Sequence, residues 1–224
     1  MLVKIYQIDM SRDTGRNKFQ SYDSVVTDGE IDPSSYNEVF NGEIENEKPE
    51  SIFQRFNTDM HPLFRGHSLS VSDVVVTTEG AFYCDTIGFK PIEFDTEKAM
   101  RPDNLIRTLL VEPHKPPVVG EIQNDLDHLQ RAVGGMIECV YNDDGSIIVC
   151  NEEAKLIGLE GNRHFNDGQS VLAGTFFIVA DDHQGDFASL TDEQLENQMT
   201  RFAQPEDISK EETQADMGFS FFCL

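Results

Sequence analysis

The chain has 224 residues, enough for one large domain or two small ones that each bury a core. Asp and Glu number 41 against 17 Lys and Arg, a net charge of −24, and no basic cluster exists that could grip a phosphate backbone. Direct nucleic-acid binding is therefore not expected, and no apolar run of about 18 residues is present to cross a membrane.

In chain order, LVKIYQI (2–8) is dense in β-branched and aromatic residues and predicts a strand. DPSSYNEVFNG (32–42) predicts a short helix, with Asp32 as N-cap, Pro33 at the first helical position and Gly42 as its stop. SIFQRFN (51–57) predicts a second helix that places Ile52, Phe53 and Phe56 on one face. DVVVTTEGAFYCDTIGFKPIEF (73–94) predicts two strands around a turn at Glu79-Gly80. Polar DTEKAMRPDN (95–104) breaks the pattern and marks a boundary, with a linker over 96–105.

LIRTLLV (105–111) predicts a strand, and EPHKPP an extended turn away from it. Val119, Ile122, Leu126, Leu129 and Val133 recur at helical spacing and predict one helix face, closed by Gly134-Gly135. MIECVYNDDGSIIVCNEE (136–153) predicts a hairpin. If Asp144-Gly145 is a two-residue turn, opposed residues sum to 289 and Cys139 faces Cys150. GTFFIVA (174–180) predicts a further strand. SLTDEQLENQMTRF (189–202) predicts a helix opened by a Thr191/Gln194 capping box. The fold class is thus α+β, as two small mixed modules over 1–95 and 106–205, each a hairpin-containing sheet packed by short helices. An acidic tail over 206–224 is expected to be mobile, with GFSFFCL able to dock.

The acids are concentrated. Residues 28–50 hold eight (Asp28, Glu30, Asp32, Glu38, Glu43, Glu45, Glu47, Glu50) against Lys48 alone, and 181–224 carry a net charge of −9. Such blocks either solvate a surface or present carboxylates to a basic partner. Cys84, Cys139, Cys150 and Cys223 form neither a C-x-x-C pair nor a zinc spacing, and MLVKIYQIDM lacks the core of a signal peptide. A cytoplasmic chain with reduced thiols is the expectation.

RGHSLSVSDVVV (65–76) gathers a histidine, three serines and an aspartate, the residue types of a nucleophilic triad. Residues so close in one extended segment cannot all converge, and no G-x-S-x-G elbow accompanies them. Asn57, His61, His67, Ser68, Ser70 and Asp73 are accordingly read as a shaped loop, with hydroxyls and carboxylate bonded to nearby backbone. His61 and His67, with Asp59 or Asp73, lack any spacing that supports a metal, and none is expected. In the second half, Glu112, His114 and Lys115 follow a strand, and Asn151, Glu153, Asn162 and Arg163 could line one ligand pocket with them. No catalytic residue and no cofactor is assigned.

The stretches YQIDMSRDTGRNKFQSYDS, RFNTDMHPLFRGHSLSVSDVV and FYCDTIGFK make residues 1–95 resemble the YodL-like domain family. RTLLVEPHKPP, LQRAVGGMIE, CNEEAKLIGLEGNR and GTFFI make 106–205 resemble the domain of unknown function 3846 family. By position, the resemblance marks Asn57, His61, Gly66, His67, Ser68, Ser70, Ser72, Asp73, Asp85 and Gly88 in the first module. In the second it marks Glu112, Pro113, Lys115, Pro116, Gly134, Gly135, Asn151, Glu152, Asn162 and Arg163. It implies a setting on conjugative elements and phages of Firmicutes and a counter-defence role, with no catalytic residue to carry over. The expected function is a non-enzymatic binding or inhibitory protein whose partner is a host protein, such as a DNA-binding enzyme met by an acidic, DNA-like surface. The alternatives are an enzyme or small-ligand sensor with a pocket in the second module, and a structural adaptor.

Overall fold

A computed structural model describes residues 1–28, 31–45, 48–58, 60–166 and 168–215. Glu30, Glu47, Asp59 and the GFSFFCL end with Cys223 lie outside the described residues. The chain divides into two compact units, Met1–Asp103 and Asn104–Leu224. Both are antiparallel sheet with short helices.

In the first unit, β1 (Leu2–Ile8) pairs with β2 (Tyr36–Glu43) on one side and β3 (Val74–Thr77) on the other. β4 (Gly80–Cys84) and β5 (Phe89–Ile92) continue the sheet from β3 as a meander. α1 (Tyr22–Asp28) and α2 (Pro49–Thr58) pack on it. Tyr6, Ile8, Tyr36, Val74 and Tyr83 form one apolar cluster with Val25 of α1. The rings of Phe40, Phe56, His61 and Phe64 stack in another. α2 buries Ile52 and Phe56, whereas Phe53 is partly exposed and meets the ring of Phe89.

The helix expected over 32–42 is corrected. Asp32 does cap, accepting from the Ser34 N–H at 3.0 Å, but a single 3-10 turn at Pro33–Ser35 gives way to β2. Tyr36, Val39 and Phe40 favour a pleated surface, and pairing with β1 outweighs the helix punctuation. The register slips between Ile5 and Tyr6, so Val39 is a bulged residue whose carbonyl accepts from the Arg65 N–H. Beside this bulge Glu38, one of the acids of the 28–50 block, is buried against Arg65 at 3.4 Å. A third strand, β5, also stands where two strands were expected over 73–94. Past it, Met100 bonds backbone to backbone with Tyr36 and Glu38, so the polar stretch at the expected linker lies along β2.

The second unit is the sheet β7 (Val118–Gln123), β6 (Leu105–Val111), β12 (Phe176–Asp181), β9 (Ser146–Asn151) and β8 (Ile137–Tyr141), in that spatial order. β13 (Phe187–Ala188) pairs with the end of β12. α3 (Leu126–Val133) contacts β7, β8, β9 and β12. Another cluster, around Leu109, Ile148, Phe176 and Ile178, is covered by the hairpin β10 (Gly161–Phe165)–β11 (Ser170–Ala173) and by α4 (Asp192–Arg201). The Thr191/Gln194 capping box is present.

Two expectations are corrected here. Val119 and Ile122 belong to β7, not to a helix, because Val118 and Val119 follow two prolines and find β6 as a partner. The helix starts only where Asp125 caps it, accepting from the His128 N–H at 3.0 Å, so Leu126 is exposed. Gly134, at φ 75°, ends it. In the hairpin, Asn142 opposes Ser146 and three residues form the loop, with Gly145 at φ 74°. This turn with a bulged glycine shifts the register by one. Cys139 opposes Val149, and Cys150 opposes Glu138. The two thiols therefore lie on opposite faces of the sheet, and both are free.

Within the described part of the acidic stretch after residue 205, α5 (Lys210–Ala215) forms, and Ile208 and Thr213 are buried against Gly161, where a Cβ would meet them within 3.0 Å.

Candidate functional site

Gln7 stands at the centre of the first unit's polar residues. Its Nε2 donates to the His67 carbonyl at 2.7 Å and to Asp73 Oδ2 at 2.9 Å, while its Oε1 accepts from the His67 N–H at 3.0 Å. Gly66 lets the amide approach, since a Cβ there would lie 2.3 Å from Oε1. Asp73 is 1% exposed and also accepts from the Ser70 N–H at 2.9 Å. Burial pushes its pKa up to about 6. Among the described residues its Oδ1 is buried without a hydrogen-bond partner.

Ser72 adopts φ 81°, a costly conformation for a non-glycine residue. All its polar groups are engaged: the N–H donates to the Cys84 carbonyl, the carbonyl accepts from Tyr36 and Oγ accepts from the Phe19 N–H. Asn57 donates to the carbonyls of Phe53 and Leu69. His61 lies between the Phe40 and Phe56 rings, with its Nδ1 accepting from the Leu63 N–H. The His67 ring nitrogen Nδ1 contacts the Ser68 carbonyl at 2.8 Å. Asp85 accepts from the N–H of Tyr22, the first residue of α1. The segment 65–73 is thus a loop held by amides and a carboxylate, and no serine hydroxyl among the described contacts reaches a histidine.

The second unit does not gather its seven candidates into one place. Arg163 is 1% exposed; its guanidinium donates to the carbonyls of Phe202 at 3.2 Å, Asn162 at 2.9 Å and Lys115 at 2.7 Å, and to Asn162 Oδ1. Burial lowers its pKa. Asn162 donates to the carbonyls of Val111 and Gly174. The turn they hold carries Lys115 paired with Glu112 at 3.0 Å and His114 paired with Glu160 at 2.9 Å.

Asn151 and Glu153 lie elsewhere, on a cleft of about 820 Å³ that none of the other five lines. Asn151 donates to the Val133 carbonyl and accepts from the Glu153 N–H, and Gly135 admits it, a Cβ there lying 2.5 Å from Nδ2. The cleft runs from β8 and β9 past 152–156 to Phe165 and β11. Burial pushes the Cys150 thiol beside it up to about 12, so it is protonated and inert near neutral pH. Among the described residues no group of three His, Cys, Asp or Glu side chains could hold a metal ion.

Sequence reasoning missed Gln7, Glu38 and Glu206. Gln7 had a signal, a polar residue inside an otherwise apolar strand; Glu38 and Glu206 gave none, because each is defined by a partner distant in sequence, Arg65 for Glu38 and His164 for Glu206.

The family model of the YodL-like domain matches residues 2–94, and that of the domain of unknown function DUF3846 matches residues 106–203. The chain joins a YodL-like domain to a DUF3846 domain. No curated protein and no solved structure matches it. The Gln7–Asp73 network therefore lies in the YodL-like domain, and the Arg163 centre and the cleft lie in the DUF3846 domain. Among the described residues no helix is long and apolar enough to cross a membrane.

Proposed function

We propose that this chain is a non-enzymatic binding protein that acts on a host protein through its acidic surface, in the counter-defence setting its two domains imply. One observation carries the reading. The side chains that chemistry would need are spent on internal hydrogen bonds, as Arg163, Asn162, Gln7 and Asp73 show, while the acids of α4 and α5 stand outside. Asp192, Glu193 and Glu196 of α4 and Glu211 and Glu212 of α5 are all exposed. Two arginines near α4 are occupied: Arg107 pairs with Asp192 and donates to the Leu190 carbonyl, and Arg201 donates to Asn142. An enzyme of nucleic acid, whose cleft is basic, would be the complementary partner.

The test is retention of host-lysate proteins on the immobilised chain at about 50 and about 300 mM salt, a range over which surface electrostatics weaken. Capture of a DNA-binding enzyme at the lower salt and its loss at the higher is expected. Retention of nothing at either salt overturns the reading. A second reading, a small-ligand sensor, is favoured by the DUF3846 cleft, whose volume falls in the range of ligand sites.

A further inference from the structure

We infer that the cleft of the DUF3846 domain is a peptide-docking groove, taking an extended segment with aliphatic residues at its centre and basic residues at its ends as an added strand along β8. The inference rests on the reading of the chain as a binding protein and adds a place of contact apart from the acids of α4 and α5.

Three observations meet here. β8 is the last strand of its sheet, and among the described residues nothing pairs with its outer edge. Its inward groups are fixed by two bonds: the Asn142 N–H donates to the Ser146 carbonyl, and the Glu152 N–H donates to the Met136 carbonyl. In an antiparallel ladder the inward residues alternate, so Ile137, Cys139 and Tyr141 direct their N–H and C=O outward. Such a row is a template for a further strand. β8 carries neither the lysine nor the proline that commonly blunts an edge.

Second, the cleft beside this edge is apolar on its floor, with Val140, Phe165, Val171 and Leu172 lining it, and Leu156 is exposed at its wall. Alternate side chains of an added strand would enter it. Third, the charge is one-sided. Glu138, Glu152 and Glu153 line the cleft against Lys155 alone, and all three glutamates are exposed. An acidic peptide would meet like charge, and a wholly apolar one would leave the carboxylates unmatched.

The probe is a nine-residue peptide with two lysines at each end and threonine alternating with valine and leucine between them. Titrated into the full chain at moderate salt, it should shift and protect the amides of Ile137, Cys139 and Tyr141 by NMR. A version with glutamates in place of the lysines should not bind. Cys139→Pro removes one outward N–H and leaves the ladder to β9 intact, and it should weaken the probe about tenfold, the value of roughly one hydrogen bond. Glu138→Lys with Glu153→Lys, a change on the surface that leaves the core alone, should abolish binding, whereas Glu193→Lys with Glu196→Lys on α4 should not.

Equal binding of the glutamate version, or shifts confined to other segments, overturns the groove. So does a probe that binds folded Cys139→Pro and the cleft double variant as tightly as it binds the unaltered chain. If a host enzyme is captured in a salt-sensitive way while the probe leaves the amides of Ile137, Cys139 and Tyr141 unmoved, the groove fails while the proposed function stands. If capture fails for every version of the chain and the probe still docks on β8, the groove stands alone.

Discussion

In the YodL-like domain the charged member of the buried polar network around Gln7 is a carboxylate, Asp73, and in the DUF3846 domain it is a guanidinium, Arg163. Both are 1% exposed, and both tie a loop to a strand. They differ in how completely they are satisfied. Arg163 spreads its donors over three carbonyls and a side-chain oxygen, whereas Asp73 gathers its bonds on Oδ2 and, among the described residues, leaves Oδ1 unpartnered. A guanidinium is a planar fork that several carbonyls can share and that stays charged at any physiological pH. A carboxylate in the same position can escape its burial by taking a proton. The second centre should therefore be a fixed staple and the first a titratable one.

The sharpest way to break the comparison is to remove the guanidinium. Arg163→Met keeps the aliphatic stem but leaves the carbonyls of Phe202, Asn162 and Lys115 without a buried donor. At about 1–3 kcal/mol for each orphaned group, a loss of at least about 3 kcal/mol is expected from denaturant unfolding. The loss should be independent of pH between 4 and 8. A change below about 1 kcal/mol, the scale of a surface contact, would show that the carbonyls find water instead.

The carboxylate centre predicts the opposite pattern. Folding raises the Asp73 pKa from 3.8 to about 6, so folding favours its protonated form. That contribution is fully present below 3.8 and is lost as pH rises through about 6. At about 1.4 kcal/mol per pH unit, the window is worth at most about 3 kcal/mol. Asp73→Asn is neutral throughout, and the unaltered chain should lose stability relative to it across that window. Parallel pH profiles for the two proteins would refute the titratable centre.

A smaller effect sharpens the role of Gln7. Gly66→Ala places a methyl 2.3 Å from the Gln7 amide oxygen, and overpacking of this kind costs about 1–3 kcal/mol. Combined with Gln7→Ala, which clears the space, the two losses should be less than additive by at least about 0.5 kcal/mol in a double-mutant cycle. Strict additivity would mean that the glycine serves its own backbone and not the amide.

Much of the fold was legible where sequence signals agreed with one another. The strands at 2–8 and 105–111, α2 and the capping box of α4 each combine period, propensity and punctuation. The errors came where a local signal was real but outvoted by pairing. Asp32 caps, yet β1 draws Tyr36 onward into a strand. The apolar spacing from Val119 to Val133 fits a helix, yet it spans a strand and a shorter helix separated by Asp125. Asp144-Gly145 does turn, but with three residues in the loop instead of two, and that single slip parts Cys139 from Cys150. The candidate site was less legible still. Arg163 and Asn162 bond to the carbonyls of Lys115 and Val111 at either side of the Glu112 turn, whereas Asn151 and Glu153 line a cleft apart from them, because sequence shows which residues follow strands but not which face the following turn presents.

The smallest effect concerns the stretch that sequence assigned to a mobile tail. His164 on β10 is held between two carboxylates, with Glu206 at Nδ1 and Glu212 at Nε2, 2.9 Å away. Arg163 beside it is turned into the core, where its guanidinium still feels the Glu206 carboxylate, and Val171 opposite the histidine is apolar. Hydrogen bonds to Glu212 and Glu206 raise the His164 pKa above its ordinary 6.5. A histidine raised on folding stabilises fully below 6.5, and its contribution disappears as pH climbs through the raised value. The three side chains are a third or more exposed, so screening limits the effect to about 1 kcal/mol or less. An NMR titration of the imidazole should give a midpoint above 6.5, falling back when Glu206→Gln and Glu212→Gln are combined. The same double variant should flatten the decline in stability above pH 6.5. A midpoint at or below 6.5 in the unaltered chain would mean that the carboxylates do not grip the ring in solution. Packing of Ile208 and Thr213 against Gly161 would then be what holds α5.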